Sequence, residues 1–205
     1  MKRDILHWRS IVIAVAIGAL SLTAGCAGSA TKEARFVGGP STAASHGTGG
    51  AKPSGTPKPT AVRLTGACPL LSAAELKKLL GGGGSQTKLT ATEDKPDPSG
   101  GFTTYTCLYG SKGTNPFALA VSDYPPGDFT PAKVIDDIAT GAKVATHSVA
   151  GVGEAAVFYS LPDNTSILAA AKQSEGKVRG VVFAAPVIVP KQKFIDVEKL
   201  VIGRI

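Results

Sequence analysis

The residues of this chain whose types and spacing could do chemistry are its three cysteines, the last of its three histidines, a few carboxylates and several glycine-rich turns. Cys26 follows Leu22-Thr23-Ala24-Gly25, so its thiol, a potential nucleophile, is preceded by side chains too small to shield the backbone. Cys68 and Cys107 are the remaining pair and allow three readings: a disulfide, thiolate ligands to a metal, or two unlinked buried thiols. His147 is the one histidine beyond residue 66, too few for a histidine metal cluster. Asp136 and Asp137 are adjacent on a helical stretch and point apart, which makes a poor acid–base pair. Glu93, Asp94 and Asp97 fall in a proline-containing segment that reads as a polar loop, with a cation site as the alternative.

Two glycine-rich stretches fail as nucleotide motifs. Residues 81–84 are glycines followed by Ser85-Gln86, without the Gly-Lys-Ser/Thr ending that a phosphate loop requires. Gly151-x-Gly153-x-x-Ala156 has dinucleotide spacing, but that motif must open a helix, and Val157-Phe158-Tyr159 is strand-like. A hairpin turn is the better reading. No Gly-x-Ser-x-Gly elbow occurs. No catalytic residue, metal or cofactor is therefore assigned, and a non-enzyme is expected. One loop, Tyr124-Pro125-Pro126-Gly127-Asp128-Phe129, could present Tyr124 and Phe129 as a stiffened contact surface; the alternative is that Phe129 tucks beneath the next helix.

The elements that must position these residues begin near residue 67. Ser72-Ala73-Ala74-Glu75 is a capping box, opening a short helix through Leu76, Leu79 and Leu80. Residues 102–109 and 117–121 read as paired strands, and Pro131 opens a helix closed by Gly141. Strands are expected over 143–149, 155–160, 167–172 and 178–184, and a final helix from Lys191 carries Phe194, Val197, Leu200 and Val201 on one face. Short links between helix, strands, helix, strands and helix predict an α+β fold, mostly antiparallel sheet, with about three short helices packed on it.

Charge excludes a nucleic-acid role for this body. The whole chain carries +7, but residues 1–25 hold Lys2, Arg3 and Arg9 against Asp4 alone. Residues 26–66 hold Lys32, Arg35, Lys52, Lys58 and Arg63 against Glu33. Residues 67–205 are left with 14 basic and 13 acidic side chains, and no basic cluster of the kind that neutralises phosphates.

The N-terminal 66 residues divide in two. A basic head over 1–9, an uncharged apolar stretch over 11–22 and small residues up to Cys26 form the pattern of a secretory signal over residues 1–25. A retained membrane helix is the alternative, although residues 23–31 are mostly small and weakly apolar. Leu22-Thr23-Ala24-Gly25-Cys26 resembles a bacterial lipobox, with Thr23 where leucine is commonest; the resemblance implies lipidation of Cys26 and a membrane anchor on the extracytoplasmic face. Of the 40 residues in 27–66, 29 are Gly, Ala, Ser, Thr or Pro, a composition too poor in apolar area to order itself. Residues 26–66 are thus expected to be a disordered tether with a reach of roughly 35 Å, and 67–205 a single domain. Export also favours the disulfide for Cys68 and Cys107.

The body carries a second resemblance. Cys68-Pro69-Leu70-Leu71-Ser72, then Cys107-Leu108-Tyr109, then Gly151-Val152-Gly153-Glu154-Ala155-Ala156 ahead of Phe158 is similar, in that order, to a family of actinobacterial surface lipoproteins of unknown function. The resemblance covers about residues 67–160. It implies a tethered α+β domain with a Cys68–Cys107 disulfide and brings no catalytic residues. The expected role is a non-enzymatic binding domain at the cell membrane whose partner is an envelope component or exported protein. A carrier of a small apolar ligand is the alternative, and an enzyme of unrecognised type a more distant one.

Overall fold

The structure is a computed structural model that describes residues 63–81, 88–111 and 114–205. The expected signal, Cys26 and all but the end of the tether lie outside the described residues, as do 82–87 and 112–113.

The described chain forms an α+β fold: one seven-stranded sheet, antiparallel at every pairing, and three α-helices. The strands are β1 (Thr90–Glu93), β2 (Thr103–Ser111), β3 (Thr114–Tyr124), β4 (Thr146–Ser148), β5 (Ala155–Ser160), β6 (Thr165–Ser174) and β7 (Lys177–Pro186). Their spatial order is β1-β2-β3-β7-β6-β5-β4, so two meanders meet at the central β3–β7 pair. Helix α1 (Ala73–Leu79) precedes the sheet, α2 (Pro131–Ala142) joins the meanders, and α3 (Lys191–Ile202) ends the chain.

Alternation along the strands sorts side chains into two clusters. Leu119, Val121, Leu168, Ala170, Val181 and Phe183 share one cluster with Leu71 and Leu76 near the start of the body and with Phe194, Val197 and Val201 of α3. The Phe194 ring lies 5.4 Å from those of both Phe183 and Phe158, edge-on to each. The neighbours in sequence, Ala169, Ala171, Val157 and Ala184, join Val134, Ile135 and Ile138 of α2 in the second cluster. Side chains of both sheet faces are thus buried, which explains why β6 and β7 read as near-continuous apolar runs.

The turns follow local chemistry. Glu175 and Gly176 both adopt positive φ between Ser174 and Lys177, the two-residue hairpin geometry that matches strand twist. Ser72 caps α1 through the expected box: its side chain accepts from the Glu75 amide, and the Glu75 carboxylate accepts from the Ser72 amide.

Three expectations need correction. Helix α2 runs through Gly141 to Ala142, with Lys143 in the left-handed cap; the extra residue lets Ala142 join Ala139 against the second cluster. The strand expected over 143–149 shrinks to β4, because Lys143 is spent on that cap. Glu93 lies on a strand rather than in a loop. All four residues of β1 are exposed, so no apolar alternation announces them.

Candidate functional site

The densest set of chemically capable residues is the corner where the body begins. Cys68 and Cys107 form a disulfide, with Cα atoms 4.9 Å apart, inside the ordinary range. Glu93, the register partner of Cys107 on β1, points back at the chain entering the fold. Its two carboxylate oxygens accept the backbone N–H groups of Ala67 and Cys68, each at 2.7 Å. These are orphan donors at the start of a short 3-10 turn, and an anion there is electrostatically favoured. The carboxylate passes close to Gly66, where a Cβ would lie 3.1 Å from it, a tight contact.

Cys68, Glu93 and Cys107 bring their ligand-type atoms within 4.8 Å of one another, the only such group of three or more among the described residues. They do not make a metal centre in this state. The sulfurs are bonded to each other rather than ionised, and both carboxylate oxygens already accept amides.

The same corner holds the paired motifs together. Tyr109, two residues beyond Cys107, donates its Oη to the carbonyl of Leu71 at 2.6 Å, joining Cys-x-Tyr to Cys-x-Leu-Leu. Burial pushes the Tyr109 phenol above its usual pKa, so it is a fixed donor and not an acid or base at neutral pH. Gly151-Val152-Gly153 is structural as well. Val152 is buried in the first cluster between two glycines at φ 74 and 61, and a Cβ on Gly153 would come 2.6 Å from the Ala171 carbonyl. Glu154, next in the motif, accepts the Gln173 amide at 2.8 Å.

The other sequence candidates are spread apart. Tyr124 is 8% exposed, and its ring lies 4.4 Å from Phe102 and 4.9 Å from the half-buried Phe129. The aromatics therefore turn inward, and the loop offers Pro125, Pro126, Gly127 and Asp128 to solvent. His147 is exposed on edge strand β4, opposite Phe158. Asp137 pairs with Lys133 one turn away at 3.1 Å while Asp136 faces solvent. Asp94 is half-buried and Asp97 bridges to Thr104 across a short backbone pairing.

Sequence reasoning passed over two features. Asp123, Arg179 and Lys172 stand in one cross-strand row, where Lys177 meets Asp123 at 3.0 Å and Arg179 lies 3.6 Å from it. Burial, with Arg179 nearby, lowers the Lys172 pKa. Asp123 answers Arg179 and Lys177, as in a structural ion pair, whereas Lys172 stands opposite the like charge of Arg179. The second feature is Glu198 on α3, fully buried with neither carboxylate oxygen hydrogen-bonded. The Phe183 backbone approaches without full hydrogen-bond geometry, and burial dominates, raising the pKa well above the usual carboxylate range. Its only sequence signal was a glutamate between Phe194, Val197 and Val201 on the apolar stripe.

Among the described residues no helix is long and apolar enough to cross a membrane. Comparison of the chain with protein-family models, curated proteins and solved structures finds no match in any of the three.

Proposed function

We propose that this chain is an exported, lipid-anchored surface protein whose body is a non-enzymatic binding or interaction domain at the cell envelope. The observation that carries the reading is how the cysteines are used. The two in the body are joined to each other, which suits an oxidising compartment, and the third, Cys26, follows a basic head and an apolar stretch. On this reading residues 1–25 are a cleaved signal, lipid on Cys26 holds the protein to the extracytoplasmic face of the cell membrane, and 26–66 are a tether.

The proposed kinship with actinobacterial surface lipoproteins gains support from what the motif residues do. Cys68 bonds Cys107, Tyr109 bonds Leu71, Ser72 caps with Glu75, and the two glycines seat Val152. These contacts tie the start of the body to its sheet, and a rigid frame of this kind supports the recognition reading. In the same reading the helices cover the sheet, α1 and α3 on the Phe183 face and α2 on the Tyr124 face, supported by the clusters they share with the strands.

The test is fatty-acid labelling of wild type and Cys26→Ala in the host, with membrane fractionation. Labelled wild type and unlabelled, released or unprocessed variant are expected. Equal labelling of both would sink the lipid anchor; unlabelled wild type that stays in the membrane would point to a retained N-terminal helix. Crosslinking of the anchored protein to its neighbours then identifies the partner, and turnover of cell-envelope esters, glycosides or peptides by the pure protein would overturn the non-enzymatic role.

A further inference from the structure

The connection from β7 to α3, Pro186-Val187-Ile188-Val189-Pro190, carries the large hydrophobic side chains that the described fold leaves exposed: Val187 at 51% and Ile188 at 86%. This exposure is built rather than frayed. The Val187 amide donates to the Asn164 carbonyl at 2.8 Å, the Val189 amide to the Pro186 carbonyl at 2.9 Å, and Val189 packs against the first cluster. Prolines at both ends restrict the backbone further. Ile188 is held outward by neighbours that are tied down, so an apolar contact there loses little conformational freedom.

Cationic side chains stand beside the tip. Lys191 is exposed with its Nζ 5.3 Å from the centre of the Phe158 ring, and Lys193 follows in the first turn of α3. Asp163, in the neighbouring turn, is partly engaged with the Thr165 amide. An apolar point flanked by lysines suits a surface that is apolar inside and anionic outside.

We infer that the 186–190 tip inserts Val187 and Ile188 into an anionic lipid surface, with Lys191 and Lys193 against the headgroups, so that the body meets the membrane by its β7–α3 end. A protein partner is the weaker match: two aliphatic side chains fall far short of the roughly 800 Å² per partner that a stable protein interface covers. Lipid demands no shape complementarity, and each lysine close to an anionic surface favours contact about fivefold. The inference rests on the anchored reading only in that a short tether keeps the tip near the membrane, where weak contact suffices.

The experiment uses the full chain as Trp8→Phe with Ile188→Trp, leaving a single tryptophan at the tip, on vesicles of phosphatidylcholine and phosphatidylglycerol at 7:3 with brominated acyl chains. Expected are a blue-shifted emission from the tip tryptophan and strong bromine quenching, reduced severalfold by Lys191→Glu with Lys193→Glu or by phosphatidylcholine alone. The matching Asp128→Trp chain reports the opposite end of the sheet, since Tyr124 pairs with Val178 while Ala118 pairs with Ala184, and it should stay unquenched. Vesicle-bound protein whose tip tryptophan is unshifted and unquenched overturns the inference while leaving the anchor intact. A blue shift that grows with protein concentration without lipid overturns it in favour of a second copy. Loss of Cys26 labelling, measured separately, reports on the anchor alone.

Discussion

Arg204 and Glu75 join the end of the chain to its first helix across 129 residues, with Nη2 donating to Oε1 at 2.6 Å. The other arm of the guanidinium donates to the Leu70 carbonyl at 2.6 Å, so one side chain grips both the helix and the turn before it. Glu75 is at the same time the closing residue of the α1 capping box. The segment that follows α3, the disulfide corner and α1 are therefore tied together.

That pair predicts an acid-side dependence of stability. Arg204 first, then the amide and hydroxyl of Ser72, hold the Glu75 carboxyl down at about 2, from an ordinary value of 4.5. A folded value below the unfolded one means the stabilisation is complete above pH 4.5 and is lost as pH falls through 2. Both side chains are more than a third exposed, so Arg204→Ala should cost only about 1 kcal/mol at pH 7. In urea melts the gap between the variant and wild type should narrow as pH falls toward 2, leaving only the share held by the Leu70 carbonyl; a gap that does not narrow would show that the Glu75 pairing adds nothing to stability.

Glu198 predicts the opposite slope. Its folded pKa is raised by burial, so the folded protein keeps a proton that the unfolded chain releases. The penalty is absent below pH 4.5 and grows as pH rises from there toward the raised value. Glu198→Met should raise stability at pH 8 by about 2 kcal/mol and change it much less at pH 4. Chemical denaturation at both pH values checks this, and equal effects at the two would mean that the carboxylate finds a partner when ionised.

The legible parts of this molecule were those whose signals are local. The capping box at Ser72, the hairpin glycines and the apolar runs of β6 and β7 depend on neighbours within a few residues, and they led to the α+β fold and its antiparallel sheet. Strand β1 was invisible because all four of its residues are exposed and show no apolar alternation. The double amide grip of Glu93 needed β1 to be placed first, and so passed for an acidic loop. Contacts such as Tyr109 to Leu71 and Arg204 to Glu75 join residues 38 and 129 positions apart, which no periodicity encodes.

Gly153 separates the turn reading of the Gly-Val-Gly motif from a nucleotide site. Its φ of 61 and the 2.6 Å approach of a Cβ to the Ala171 carbonyl make Gly153→Ala costly, by about 2 kcal/mol. Gly151→Ala meets no atom within 4 Å and carries only the φ strain, so it should cost about 1 kcal/mol. Thermal melts rank the two, and an equal loss would place the constraint in backbone conformation rather than in the close approach.

The Cys68–Cys107 bond closes a separation of 39 residues, for which the chain-entropy relation gives about 4 kcal/mol of stabilisation. Tyr109→Phe, which leaves the buried Leu71 carbonyl without its donor, should cost about 1–2 kcal/mol. Both features tie the 68–71 segment to β2, so their effects should not add. Once the disulfide is reduced the segment is freer to move, and Tyr109→Phe should lose part of its effect. Urea midpoints of wild type and Tyr109→Phe, each oxidised and reduced, complete the cycle. Coupling is the expected result, whereas strict additivity would mean that the 68–71 turn keeps its place on β2 without the covalent bond, held by the Glu93 grip on Ala67 and Cys68.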